Sequence, residues 1–201
     1  MIVAAIPGPL LAWTKGVETQ LVANPCFSTG LDPWRFTYQG ERPLFTASIV
    51  HFEGGSALKV ESQAEGVGEL VVCQRFKFLA SWNMLSPMFV KAILKVKCSP
   101  QGGPMRVVVK APHGVELKSF NLEEGESLEA EVEDALWPYA GRYVILELHF
   151  VDPSRDKAYT WLVYEASVTF IDKQGIAATA ALIAFILGVV VVGVSYVRAR
   201  L

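Results

Sequence analysis

An uncharged run of 22 residues, Ile176 to Val197, constrains this chain more than any other feature. At about 1.5 Å of rise per residue, a helix of that length crosses a hydrocarbon core of about 30 Å. Its only polar side chains are Thr179, Ser195 and Tyr196, without the regular polar stripe of a buried globular helix. Asp172 and Lys173 offset each other before the run, whereas Arg198 and Arg200 follow it unopposed. Because basic residues favour the cytoplasmic side, the sequence predicts a single-pass helix over 173–198 in the lipid bilayer and a cytoplasmic tail at 199–201. The preceding domain then lies outside. Ala180, Ala184 and Gly188 recur every four residues on one helix face, a spacing that lets two membrane helices approach closely and predicts self-association there.

An outside domain requires export, and the apolar leader 1–15 is the one candidate signal. It has no basic residue ahead of its apolar stretch, and Pro7, Gly8 and Pro9 interrupt it. Three readings stay open: a signal peptide, a first strand, or a tail-anchored protein with its domain in the cytosol.

Residues 16–172 alternate with the period of two that marks half-buried strands. Leu58 and Val60 alternate with Lys59 and Glu61; Leu70, Val72, Phe76 and Phe78 with Glu69, Arg75 and Lys77; Leu128, Ala130 and Val132 with Glu129, Glu131 and Glu133. Val144, Leu146, Leu148 and Phe150 follow, then Leu162, Tyr164, Ala166, Val168 and Phe170. Gly and Pro clusters fall between them, at Gly54-Gly55, Gly66 to Gly68, Pro100 to Pro104, Pro112 to Gly114 and Pro138 to Gly141. About nine or ten strands at this spacing predict an all-β sandwich or jelly roll, with no long amphipathic helix before residue 173.

Of 18 basic and 20 acidic residues, only Arg198 and Arg200 lie beyond Lys173, so the β part is net acidic. A nucleic-acid binder needs clustered basic excess to neutralise phosphates, and this chain has none. Cys26, Cys73 and Cys98 are too widely spaced for a zinc site, and alternation places Cys73 and Cys98 on opposite faces, which disfavours a bridge between them. The histidines are scattered: His51 ends a strand, His113 sits in a turn, and His149 shares an outward face with Glu147 and Tyr143, where a surface histidine is expected. No G-x-S-x-G elbow, phosphate loop or H-E-x-x-H occurs, so no catalytic residue and no enzyme activity are assigned. A carboxylate pair drawn from Glu147, Glu165 or the acids of Glu123 to Asp134 would be visible only in space.

The opening Asn24-Pro25-Cys26-Phe27-Ser28-Thr29-Gly30-Leu31-Asp32-Pro33-Trp34 resembles the "N-G-G-F-E-x-G-x-x-x-W" start of carbohydrate-binding modules with the galactose-binding-like jelly-roll fold. Gly54-Gly55-Ser56-Ala57-Leu58-Lys59-Val60 is similar to their "G-x-x-S-L-x-V" strand, and Trp161 to Phe170 stands where they close on "D-D-V-x-L". The resemblance spans about Leu21 to Ile171 and implies a jelly roll that binds carbohydrate. The family's structural calcium loses most of its carboxylates here. Its opening Glu falls at Ser28 and its closing acids at Tyr164 and Glu165, leaving at best a degraded site near Glu165 and no cofactor.

Asn24-Pro25 and Gly30 to Pro33 are turn chemistry, while Phe27 and Trp34 are expected in the core. The aromatic residues expected in turns or on outward faces, and hence candidates to stack on a sugar, are Trp82, Trp137, Tyr139 and Trp161. Two functions are therefore expected: a membrane-anchored surface module that binds carbohydrate, or a structural protein of a cell or virion envelope whose jelly roll makes protein contacts.

Overall fold

The computed structural model describes residues 17–39, 45–63, 68–78, 90–152, 157–172 and 187–189. They form eleven strands in two antiparallel sheets, because the alternating segments each offer one apolar face and two such faces exclude water together. In the six-stranded sheet, β3 (Phe45–Phe52), β4 (Gly55–Ser62), β11 (Thr160–Asp172), β6 (Val90–Cys98) and β9 (Leu128–Glu131) lie in that order. Strand β1 (Val17–Gln20) joins the far end of β11, which pairs with β4 over Thr160–Val163 and with β1 over Thr169–Asp172. The five-stranded sheet runs β2 (Arg35–Gln39), β5 (Gly68–Lys77), β10 (Tyr143–Asp152), β7 (Met105–Lys110), β8 (Glu116–Leu122). A one-turn helix α1 (Glu133–Leu136) and a 3-10 turn (Trp137–Tyr139) connect β9 to β10.

The core lies between the sheets. Leu58, Val60, Ala92, Leu94, Val96, Ala166 and Val168 from one side meet Leu70, Val72, Val107, Val109, Leu146, Leu148 and Phe150 from the other, all fully buried. Burying each larger side chain contributes about 1.5–3 kcal/mol, which offsets the entropy of ordering long, non-local strand pairs. Phe27 and Trp34 are buried as expected, their rings 5.3 Å apart. Glu123, Glu124, Glu126, Glu129, Glu131 and Asp134 stand in solvent.

One strand departs from the alternation. The ladder between β11 and β6 shifts register between Val163 and Glu165, so a single inserted residue reverses which side chains face inward. Trp161 and Val163 are buried ahead of the shift, Ala166, Val168 and Phe170 after it, while Leu162 and Tyr164 are not in the core as their spacing predicted. Trp161, expected on the polar side, is 1% exposed and forms the centre of an aromatic cluster with Phe45, Phe150 and Tyr159. It cannot serve as an open platform for a sugar.

The three thiols are free. Cys73 points outward from the five-stranded sheet, and the Cys98 Sγ lies 3.4 Å from the Met105 Sδ between the layers, where burial pushes its thiol up to about 12. The uncharged run 176–197 lies outside the described residues except for Leu187–Val189, which are helical. Among the described residues no helix is long and apolar enough to cross a membrane. Ala180 and Ala184 likewise lie outside them; at Gly188 a side chain would meet nothing within 4 Å.

Candidate ligand-binding site

Alternation on the five-stranded sheet sends one set of side chains to the core and the other away from the sandwich. On the outward face the register aligns Arg35, Cys73 and Glu147 in one row across β2, β5 and β10, with Arg75 and Ile145 opposite each other in the next. These five residues, with Pro33 and Gln74, line a cleft of about 350 Å³. That volume lies at the lower end of small-ligand sites.

The loop before β2 contributes Pro33 to this cleft. Gln74 is buried and grips the loop in the manner of a strand pair: its Oε1 accepts from the Ala23 N–H at 2.6 Å and its Nε2 donates to the Ala23 carbonyl at 2.9 Å. Asn24 organises the following turn, its Nδ2 donating to the carbonyls of Gly30 and Asp32 at 2.8 and 3.1 Å. Pro33 and Arg35 are thereby fixed against β5.

Of the lining residues, Glu147 belongs to a polar chain on the same face. His149 is 6% exposed although it points away from the core, with Nδ1 2.6 Å from Glu69 and Nε2 2.8 Å from Glu147, which in turn pairs with Lys110 at 2.6 Å. The expected surface histidine is thus a buried one between two carboxylates. Burial opposes its charge, but hydrogen bonds to Glu147 and Glu69 outweigh that and raise its pKa above the ordinary value. Burial likewise opposes the Glu147 carboxylate, yet His149 and Lys110 hold its pKa below the usual range. Neutral imidazole has one N–H and can donate to only one of the two acids.

The raised His149 pKa contributes stability in full below the unfolded value of about 6.5, and this is lost as pH rises through the folded value. The lowered Glu147 pKa contributes above about 4.5 and is lost as pH falls through its folded value. The midpoint of urea unfolding should therefore peak between about pH 4.5 and 6.5 and decline on the alkaline side. In His149→Gln the alkaline decline should flatten; an unchanged slope would show that His149 does not couple to folding.

At the end of this face stands Tyr143, 51% exposed, with the Arg75 Cζ 5.1 Å from its ring centroid. Tyr143 lies opposite Lys77 at the start of β10. The aromatic candidates of the sequence are not gathered here. Trp137 and Tyr139 are half-buried in the 3-10 turn and pack on the core, Trp161 is inside it, and Trp82 lies outside the described residues. The cleft residues carry no motif; only alternation within β5 and β10 marks them as outward, and nothing local in the sequence places Arg35 beside Cys73.

No protein-family model matches the sequence, and no curated protein matches it. Solved structures do. The family 61 carbohydrate-binding module TmCBM61, described in complex with β-1,4-galactotriose, superposes with a TM-score of 0.51 at 14% identity, covering 77% of this chain and 99% of the module. The enzymatically active domain of tailspike protein 4 from bacteriophage CBA120 gives a TM-score of 0.51 at 10% identity over 76% of this chain, which spans 21% of that protein. This chain shares its β-sandwich fold with that module and with part of the tailspike chain. The likeness is one of architecture, an all-β sandwich of two antiparallel sheets, since identity this low carries no site residues across.

Glu147 and Glu165, two of the acids that a hydrolase would pair, belong to different sheets, on β10 and β11, and both point away from the core. Glu165 pairs with Lys97 at 3.0 Å and accepts from Ser167 at 2.8 Å; burial opposes its charge, but those partners keep its pKa low. A general acid requires the opposite shift. Among the described residues no group of three or more His, Cys, Asp or Glu side chains is placed to hold a metal ion.

Proposed function

We propose that this chain is a non-catalytic binding protein whose galactose-binding-like jelly roll takes a glycan into the cleft bounded by β2, β5 and β10, and that the run 176–197 holds it at a membrane. The observation that carries the reading is the cleft itself. Its lining combines apolar Pro33 and Ile145 with charged Arg35, Arg75 and Glu147, and the exposed Tyr143 ring lies against Arg75 of that lining. Sugars are bound by this mixture: a flat aromatic face against the ring's C–H groups, and fixed polar groups for the hydroxyls. The shared fold with a module seen in complex with galactotriose supports the same reading.

The full-length chain in detergent micelles should be retained by immobilised polysaccharides, with β-1,4-galactan as the first probe. Tyr143→Ala removes the exposed ring without touching the core and should weaken binding about tenfold, or about 1.4 kcal/mol, in affinity electrophoresis. Absence of binding to every polysaccharide, or affinity that is indifferent to Tyr143, would overturn the proposal.

A further inference from the structure

We infer that the glycan taken by this cleft is anionic, a saccharide bearing carboxylate or sulfate groups, and that Arg35 and Arg75 receive its charge. The inference rests on the binding reading above and adds the ligand's chemical class.

It comes from how charges on the outward face are partnered. Lys110 is bonded to Glu147 at 2.6 Å, Arg106 pairs with Glu116 at 2.5 Å, and His149 lies between Glu147 and Glu69. On the other sheet Lys59, Lys95 and Lys97 pair with Glu61, Glu129 and Glu165. Among the described residues Arg35 and Arg75 have no carboxylate partner, and both are exposed in the lining of the cleft. Glu147 is the one acid of that lining, and Lys110 and His149 already answer its charge. The cleft is thus locally cationic in a chain of net charge −2.

Placement makes the two arginines diagonal neighbours on one sheet face. Arg35 stands opposite Cys73, and Arg75 is two residues further along the same face of β5. Such diagonal neighbours have Cα atoms about 7–8 Å apart, within reach of one anionic group for side chains this long. A guanidinium binds a carboxylate or sulfate through two parallel N–H donors, and each charge-assisted bond is roughly twice as strong as a neutral one. Arg75 is also held over the Tyr143 ring, so the donor that meets the anion stands beside the surface that would stack on the sugar. A neutral glycan would leave both guanidinium groups without an anionic partner.

The test compares polygalacturonate, a sulfated galactan and neutral β-1,4-galactan against the full-length chain in detergent micelles by affinity electrophoresis and calorimetry. At least one charged polymer should bind ten or more times tighter than the neutral one, and its affinity should fall as NaCl rises. The Arg35→Gln/Arg75→Gln double variant should lose at least tenfold for that polymer; because both positions are exposed, an unchanged urea midpoint separates this from misfolding. Arg35→Lys/Arg75→Lys keeps the charge but not the paired donors and should recover only part. Preference for carboxylate over sulfate, or the reverse, identifies the group received. Equal or tighter binding of neutral galactan, insensitive to salt and to the arginines, would overturn the inference and leave the glycan reading standing. Binding to none of the three, and to no other polysaccharide, would remove both.

Discussion

Trp161→Ala should cost about 3–5 kcal/mol, the largest loss expected from any single truncation in this domain. The indole is 1% exposed and makes ring contacts with Phe45, Phe150 and Tyr159 at centroid distances of 6.1, 5.6 and 5.6 Å. It joins both sheets, since Phe45 and Phe150 belong to β3 and β10. Its Nε1 donates to the Gly103 carbonyl at 2.7 Å, so removal leaves a cavity and a buried acceptor without its donor. Gly103 is part of the same device: a Cβ there would stand 2.5 Å from the Tyr159 ring and 2.9 Å from Trp161, so only glycine lets the loop close over the indole. Urea unfolding followed by circular dichroism is the direct measurement, and a fall of about 10 °C in Tm should accompany it. Trp161→Phe keeps much of the packing and should cost clearly less. A loss below about 1 kcal/mol for the alanine variant would mean that the cluster does not hold the sheets together.

Asn24→Ala should cost about 2–4 kcal/mol, although the residue lies in a loop. Asn24 has φ of +48°, a left-handed conformation in which alanine is disfavoured by about 1 kcal/mol or more. Its side chain donates to Gly30 and Asp32 and accepts from the Thr29 N–H at 3.2 Å, and its own carbonyl receives the Trp34 Nε1 at 3.2 Å. The turn therefore depends on one amide that both gives and receives. Asn24→Gly relieves the backbone cost but not the lost bonds, so the two variants should differ by about 1 kcal/mol in urea unfolding. Equal losses would show that the left-handed backbone carries no cost. Because the same loop positions Pro33 and Arg35, both variants should also weaken glycan binding.

The sandwich was legible in the sequence because each strand states its own inward face. Leu70, Val72, Phe76 and Phe78, and likewise Val144, Leu146, Leu148 and Phe150, occupy one phase of the alternation with more polar residues in the other, and all eight are buried where that phase placed them. Phe27 and Trp34 were legible as core from the turn chemistry between them. What the sequence determined is thus local: period, turns, the outward direction of Cys73 and Glu147, and the uncharged run near the end. Tertiary structure decided what depends on a neighbouring strand. The register shift in β11 reverses the phase of Trp161 because its cause is the pairing with β6, invisible within Thr160 to Asp172. His149 reads as a surface residue until Glu69, 80 positions away, lies across its ring. Arg35 and Arg75 line one cleft only because β2 pairs beside β5, and no pattern along a single strand encodes which strand will lie next to it.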